Sequence, residues 1–419
     1  MKILLMSTGD VQGGAGRCAY RLMRGLRVYG ADAKLLTLSS KAHDPDSMEI
    51  DNLWIKFGNK LNLLEKPDKL ISKLNRYKGK SLFSAAVSGV SGVVEKYKAF
   101  NPDIVHLHWF QGGFIRPETL KRFNCPVIIT MHDMWTFTGG CHYDDECGKY
   151  VSGCGNCPMF NSDKENDLSR RVFKRKQKAY QAVESLLIAG TSSWLTNCAR
   201  QSKMLEGVRI EQLPTGLDTT EFKPIEKSVA RDIFNLPQDK KLVIFGAMNA
   251  TSDTRKGYNY LRDALNLIPE IREKKDVEVI IFGGSKFSSD ESMRIPQHPT
   301  GHLFDNVSLK TLYSAADVMV VPSVQENLAN TILESLACKT PVVGFDIGGN
   351  KDMIHHQSNG YLAKPFDVKD LARGINWVID DEARRKELAA YGRDLMEQKF
   401  DIGLLSEKHI KLYKELIAK

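Results

Sequence analysis

Two acids, Glu326 and Glu334, interrupt the otherwise apolar stretch "PSVQENLANTILESLACKTPVV" (322–343), with seven residues between them. The run before it, "AADVMVVPS", is short and β-branched and stops at Pro322-Ser323, which predicts a buried strand. Leu328, Ile332, Leu333, Leu336 and Ala337 then recur at helical spacing up to Lys339, with Pro341 just beyond, which predicts a helix. Glu326 therefore belongs to the strand-to-helix loop and Glu334 to the first turns of the helix. Such a loop aims backbone N–H groups and the positive end of a helix dipole at its ligand, a ready site for a diphosphate. Carboxylates are poor partners for phosphate but good acceptors for hydroxyls, so the pair suggests a ligand with both, as a nucleotide-sugar has. The spacing equally admits a plainer arrangement, with Glu326 answering the dipole and Glu334 exposed on the helix.

Other chemistry-bearing residues are scattered. "GDVQGGAGRCAY" joins a first strand to a first helix, and Gly13, Gly14 and Gly16 let that loop approach a ligand closely or simply turn tightly. His132 follows the strand-like "PVIIT", whereas His106 and His108 fall within "DIVHLHW", where structural roles are expected. Arg255-Lys256 is a cationic doublet. Cys141, Cys147, Cys154 and Cys157 are separated by five, six and two residues. In a reducing compartment disulfides are disfavoured, and Cys-Gly-Asn-Cys is a common two-ligand zinc knuckle, so the four are either a structural zinc site or loosely packed free thiols.

The elements that position these residues alternate. "KILLMST", "DAKLLTL", "DIVHLHW" (103–109), "PVIITMHD" (126–133) and "SLLIAGTS" (185–192) are strand-like, and "GRCAYRLMRGLRVYG" is helical. The pattern restarts with "KLVIFGAM" (241–248), the helix "GYNYLRDALNLIPEI", "VEVIIFGG" (277–284), "NVSLKTLYSAA", "DVMVVPS" and "TPVVGFD" (340–346). This implies two parallel sheets wrapped by helices. "LPTGLDTTEFKP" (213–224) has the Pro, Gly and Asp of a linker. The expected domains are 1–212, with a Cys-rich loop at 139–160, and 213–395; a charged helix at about 396–419 is expected to return to the first. Ligands in such halves bind at strand C-termini lining a cleft.

With 419 residues, 42% apolar and 26% charged, the chain has the composition of an ordinary globular protein. Its first residues, with one Lys and a short apolar core, fit a buried strand better than a signal peptide, and no apolar run reaches the roughly 20 residues needed to span a bilayer. A cytoplasmic location is expected. The formal charge of +8 is uneven. Residues 56–80 carry eight basic and two acidic side chains around Leu61, Leu63, Leu64, Leu70, Ile71 and Leu74. They are either a membrane-surface patch or a helical excursion whose leucines join the core. "RRVFKRKQK" (170–178) is expected to be a solvated helix face. A nucleic-acid-binding protein is disfavoured, because the Cys cluster contains Asp144, Asp145 and Glu146.

Taken together, the Glu-x7-Glu arrangement, "GGAGR" (13–17), "MHDMW" (131–135), "TSSWL" (191–195), "LPTGLDTTEF" (213–222), "RKG" (255–257) and "LYSAADVMVVPS" (312–323) resemble one family. It is family 4 of the retaining glycosyltransferases, of the GT-B fold, in its bacterial polysaccharide-biosynthesis type with a Cys-rich insertion. The resemblance implies an α/β chain of two Rossmann-like, doubly wound domains facing across a cleft. It implies transfer of a sugar from a UDP- or GDP-sugar to a lipid-linked or oligosaccharide acceptor for capsule, O-antigen or exopolysaccharide, at the inner face of the plasma membrane. Glu334 would accept the ribose hydroxyls and Glu326 a hydroxyl of the transferred sugar. The N–H groups of Asn327, Leu328, Ala329 and Asn330 would cap sugar and phosphates, and Lys256 and Arg255 would neutralise the diphosphate. Gly14 and Gly246 would line the donor, and His132 would touch the transferred sugar. No cofactor or divalent metal is implied for the chemistry. The family commonly has Arg directly after the glycine corresponding to Gly246; here it is Ala247, and Arg255 is expected to replace that charge. Base contacts are expected around residues 283–306. On the same architecture, a sugar-nucleotide epimerase or a phosphorylase is the alternative; a phosphorylase would need a Lys-bound pyridoxal phosphate, for which there is no signature.

Overall fold

The central strand "KILLMS" is apolar on both faces, so it must lie inside a sheet covered on both sides. The structure, a computed structural model, describes residues 1–418 except 12, 39, 41–43, 51–62, 247–252 and 284–290. The chain divides into two compact units, residues 1–215 with 405–419, and residues 216–404.

In the first unit the strands are β1 (Lys2–Ser7), β2 (Asp32–Thr37), β3 (Ser47–Glu49), β4 (Ile104–His108), β5 (Val127–Met131), β6 (Leu186–Gly190) and β7 (Arg209–Gln212). They form one parallel sheet in the order β3-β2-β1-β4-β5-β6-β7. The register Ile3↔Ala33 and Ile3↔Ile104 fixes the centre. Successive side chains point to opposite faces. Ile3 and Leu5 therefore pack with Leu22, Met23 and Leu26 of the helix Gly14–Val28, while Leu4 and Met6 pack on the other side with Phe110, Trp135 and Phe137. Each such fully buried side chain stabilises the fold by roughly 1.5–3 kcal/mol.

The second unit repeats the plan with β8 (Lys241–Gly246), β9 (Val277–Phe282), β10 (Gln297–Gly301), β11 (Val318–Val321), β12 (Val342–Phe345) and β13 (Gly360–Ala363). The sheet order is β10-β9-β8-β11-β12-β13, again all parallel. In each sheet the direction of winding reverses once, between β1 and β4 and between β8 and β11. At such a switch point the two loops leave on opposite faces and open a crevice at the strand C-termini.

Strands β3, β7, β10 and β13 escaped the sequence reading because they lie at sheet edges and are only partly buried, so no apolar run marks them. In the expected linker, Leu217 and Phe222 are fully buried, and Leu217 exchanges backbone hydrogen bonds with Phe400 and Ile402. Its second half is thus part of the core of the second unit. The return to the first unit comes with helix Ile402–Ile417, from Leu405 onward. Helix Leu168–Gln181 carries "RRVFKRKQK", and the expectation of a solvated helix face is corrected for Lys176. Val172, Phe173, Lys176, Ala179 and Tyr180 form its buried stripe, and Lys176 has no exposure at all. Among the described residues no helix is long and apolar enough to cross a membrane.

Candidate functional site

In the second unit the two loops at the switch point carry the predicted residues. β8 ends at Gly246, and Ala247 lies outside the described residues. The chain re-enters at Asp253, whose side chain caps the turn Thr254–Lys256 by accepting from the Arg255 N–H at 3.1 Å. β11 ends at Val321, and the loop from Pro322 leads into helix Asn330–Ala337. The Val324 N–H donates to the Arg255 carbonyl at 2.8 Å, binding one loop to the other.

Across that seam Lys256 Nζ donates to Glu326 Oε2 at 2.7 Å. Ser323 Oγ donates to the same oxygen at 3.3 Å, and the Asn327 N–H donates to Oε1 at 3.2 Å. Glu326 is 8% exposed, so its charge is answered by these donors rather than by water. Glu334 is buried, and Tyr313 Oη donates to its Oε2 at 3.0 Å. Exposure on the helix is thereby excluded for Glu334. Asn327 is buried, Leu328 partly so, and Ala329 is the extended N-cap residue of the helix, which begins with no side-chain cap. That N-terminus carries the positive end of the helix dipole, which draws an anion.

Arg255 has a partner on its own turn. Its guanidinium is taken by Asp253, Nε to Oδ1 at 3.0 Å and Nη2 to Oδ2 at 2.7 Å. Burial would raise the Asp253 carboxyl, but the Arg255 bonds outweigh it and hold it below its usual range. The doublet divides its labour: Arg255 braces the turn, and Lys256 meets the acid at the crevice. Of the region expected to contact the base, 283–306, residues 284–290 lie outside the described residues.

In the first unit His132 follows β5 and is half-buried, its Nε2 3.0 Å from His108 Nδ1. Burial pulls its pKa down to about 4, so near neutral pH it offers a hydrogen bond and not a charge. Asp133, which the sequence reading passed over, ties the turn together. Its Oδ1 accepts from the Trp135 N–H at 2.9 Å, and its Oδ2 accepts from His142 Nδ1 at 2.6 Å and from Trp109 Nε1 at 3.2 Å. His106 is structural as expected, its Nδ1 2.6 Å from Tyr413 Oη and its Nε2 2.7 Å from Thr130 Oγ1. Gly14 opens its helix and is exposed. Asp44 and Asp46 have the spacing of a metal-binding pair, but Tyr20 Oη donates to Asp44 at 2.8 Å and Arg27 pairs with Asp46 at 2.8 Å.

The four clustered cysteines are free thiols, and all four line one cavity with Tyr77, Phe83, Lys149, Met159 and Ser169. Burial pushes every one of these thiols above its ordinary range, Cys154 to about 12. Beside them, the Lys176 ammonium donates to the Trp135 carbonyl and stands 3.8 Å over the Trp135 ring. Its place on an apolar helical stripe was the signal in the sequence. Tyr313, Ser323, Asp253 and His142 had none, since each acts through a partner distant in the chain or in an adjoining turn.

Two family models match the chain: "Glycosyl transferase 4-like domain" over residues 13–198 and "Glycosyl transferases group 1" over residues 227–395. Among similar sequences is a D-inositol 3-phosphate glycosyltransferase of Xylanimonas cellulosilytica, 24% identical over 92% of this chain and 88% of the relative. Among solved structures, a sucrose-phosphate synthase from Thermosynechococcus elongatus superposes with a TM-score of 0.71 at 20% identity, covering 100% of this chain and 99% of its own. Anabaena HepE, in complex with UDP and glucose, superposes with a TM-score of 0.65 at 17% identity, covering 99% of this chain and 100% of its own.

Proposed function

The chain belongs to family 4 of the glycosyltransferases, with the GT-B fold, and on that premise we propose that it is a retaining enzyme. It moves a sugar from a UDP- or GDP-sugar to a lipid-linked or oligosaccharide acceptor in cell-surface polysaccharide biosynthesis. The observation that carries the reading is the Lys256–Glu326 pair at the switch point of the second sheet, beside an uncapped helix N-terminus and the buried Glu334.

These groups fit the two halves of such a donor. Phosphate oxygens draw Lys256 and the N–H groups of the first turn; hydroxyls of ribose and sugar suit Glu334 and Glu326. When the donor binds, Lys256 passes from Glu326 to the diphosphate, and a sugar hydroxyl takes its place on Glu326. The acceptor hydroxyl then attacks the anomeric carbon from the face that the diphosphate leaves. The bond to phosphate oxygen breaks, the bond to acceptor oxygen forms, and a phosphate oxygen takes the acceptor proton. Charge grows on the departing diphosphate, and a fixed cation there stabilises the transition state more than the ground state. No side-chain nucleophile or divalent metal is needed for this sequence of steps.

The acceptor side of the proposal is supported by helix Lys66–Leu74. Leu70 and Leu74 are 56% and 72% exposed, among exposed Lys66, Lys69, Lys73 and Arg76. Asp68 is turned inward, accepting from the Ala86 and Val87 N–H groups at 3.0 and 3.2 Å, so one acid of the segment leaves the outer face. A basic face with protruding leucines suits the anionic inner leaflet. Residues 56–62 of the expected patch lie outside the described residues.

A thermal-shift panel of UDP-, GDP-, ADP- and dTDP-sugars tests the donor. Ligand binding raises the melting temperature by mass action, so one nucleotide series is expected to stabilise the chain and the others not. A panel in which no nucleotide-sugar shifts the transition would sink the reading.

A further inference from the structure

We propose that Cys141, Cys147, Cys154 and Cys157 form a structural zinc site of four thiolates, which fixes the loop that carries His142. This inference does not depend on the proposed reaction. The first ground is convergence. The four residues are spread over seventeen positions with no regular secondary period, yet all of them line a single cavity. Loosely packed thiols have no reason to share one space.

Backbone conformation supplies the second ground. Gly153, Cys154, Gly155 and Asn156 have φ of 96°, 60°, 89° and 45°, and Asp145, Glu146 and Gly148 have 44°, 63° and 62°. Cys154, Asn156, Asp145 and Glu146 are not glycines, and such residues hold left-handed geometry at roughly 1–3 kcal/mol each. Hydrogen bonds to the cysteine backbones hold the loops so shaped: the Thr138 hydroxyl donates to the Cys141 carbonyl at 2.6 Å, the Cys154 N–H to the Lys149 carbonyl at 2.7 Å and the Cys157 N–H to Asp167 Oδ2 at 2.8 Å.

The ligand set is the third. Four soft ligands among Tyr77, Phe83 and Met159 suit tetrahedral zinc in a structural role.

As the side chains stand, no group of three or more His, Cys, Asp or Glu among the described residues is gathered tightly enough to hold a metal ion. Metal entry therefore requires the four thiols to draw together within the cavity that they line. The consequence reaches His132 through the loop. His142 adjoins Cys141, and its ring bridges Asp133 Oδ2 at 2.6 Å and Ser84 Oγ at 3.0 Å.

Elemental analysis of the full chain, purified with reductant from zinc-supplemented cells, tests the proposal. About one zinc per chain is expected. Cys154→Ser and Cys157→Ser should lose it, while Cys125→Ser and Cys198→Ser, outside the cluster, should retain it. Should the cluster variants fail to fold, the parent chain exchanged with Co²⁺ decides: it should show thiolate-to-cobalt charge transfer and intense tetrahedral d–d bands. Zinc far below one per chain without those cobalt bands overturns the proposal, as does recovery of the four cysteines as disulfides or with iron.

Discussion

Lys256 Nζ and Glu326 Oε2 stand 2.7 Å apart, joining loops that are seventy residues distant in sequence. The pair holds two charges of opposite sign where a diphosphate and a sugar hydroxyl would each claim one. Glu326→Gln should leave nucleotide affinity nearly unchanged and lower turnover about 100-fold, and Lys256→Met should lower turnover by at least as much. Steady-state rates beside thermal shifts separate binding from chemistry. Parent-like turnover in both variants would remove these residues from the site.

Glu334 depends on Tyr313, whose Oη donates to it at 3.0 Å from helix Asn306–Ala315. Glu334→Ala should abolish the nucleotide-induced rise in melting temperature. Tyr313→Phe deletes one hydrogen bond to a charged acceptor, worth about 1.5–3 kcal/mol, and should weaken nucleotide binding about tenfold or more, read by calorimetry. An unchanged affinity would show that Tyr313 does not position the acid.

Gly257 follows Lys256 with a φ of 73°, and a Cβ added there would lie 1.8 Å from the Pro322 carbonyl oxygen. The cationic turn can approach the strand end only without a side chain. Gly257→Ala should destabilise the chain by about 1–3 kcal/mol in urea titration and also weaken nucleotide binding. Full stability in the variant would mean that the close approach is dispensable.

The first unit should be sensitive to acid. Burial pulls the His409 pKa from 6.5 to about 4 and lowers His106 and His108 as well. Between those values the unfolded chain binds protons that the folded chain refuses. Stability is therefore greatest above pH 6.5 and falls as the pH drops toward 4. The urea midpoint should decline between about pH 7 and pH 5, and His409→Gln should make the decline shallower by about one proton. A slope unchanged by the substitution would count against this origin.

The sequence by itself determined the two parallel sheets, their restart after residue 213 and the placement of Glu326 in a loop and Glu334 on a helix. Those are consequences of local pattern: β-branched runs must be buried strands, and apolar spacing of three and four must be a buried helical stripe. Edge strands β3, β7, β10 and β13 left no such pattern, because half their backbone partners and many of their side chains face away from the core. Polar partnerships were likewise decided only by tertiary structure. Arg255 had the same sequence context as Lys256, yet Asp253 claims its guanidinium while Lys256 reaches Glu326. Lys176 looked like one more surface cation until the apolar stripe carried it under Trp135. A charge is satisfied by whatever group the fold brings within about 3 Å, and that group is set by loops arriving from distant parts of the chain.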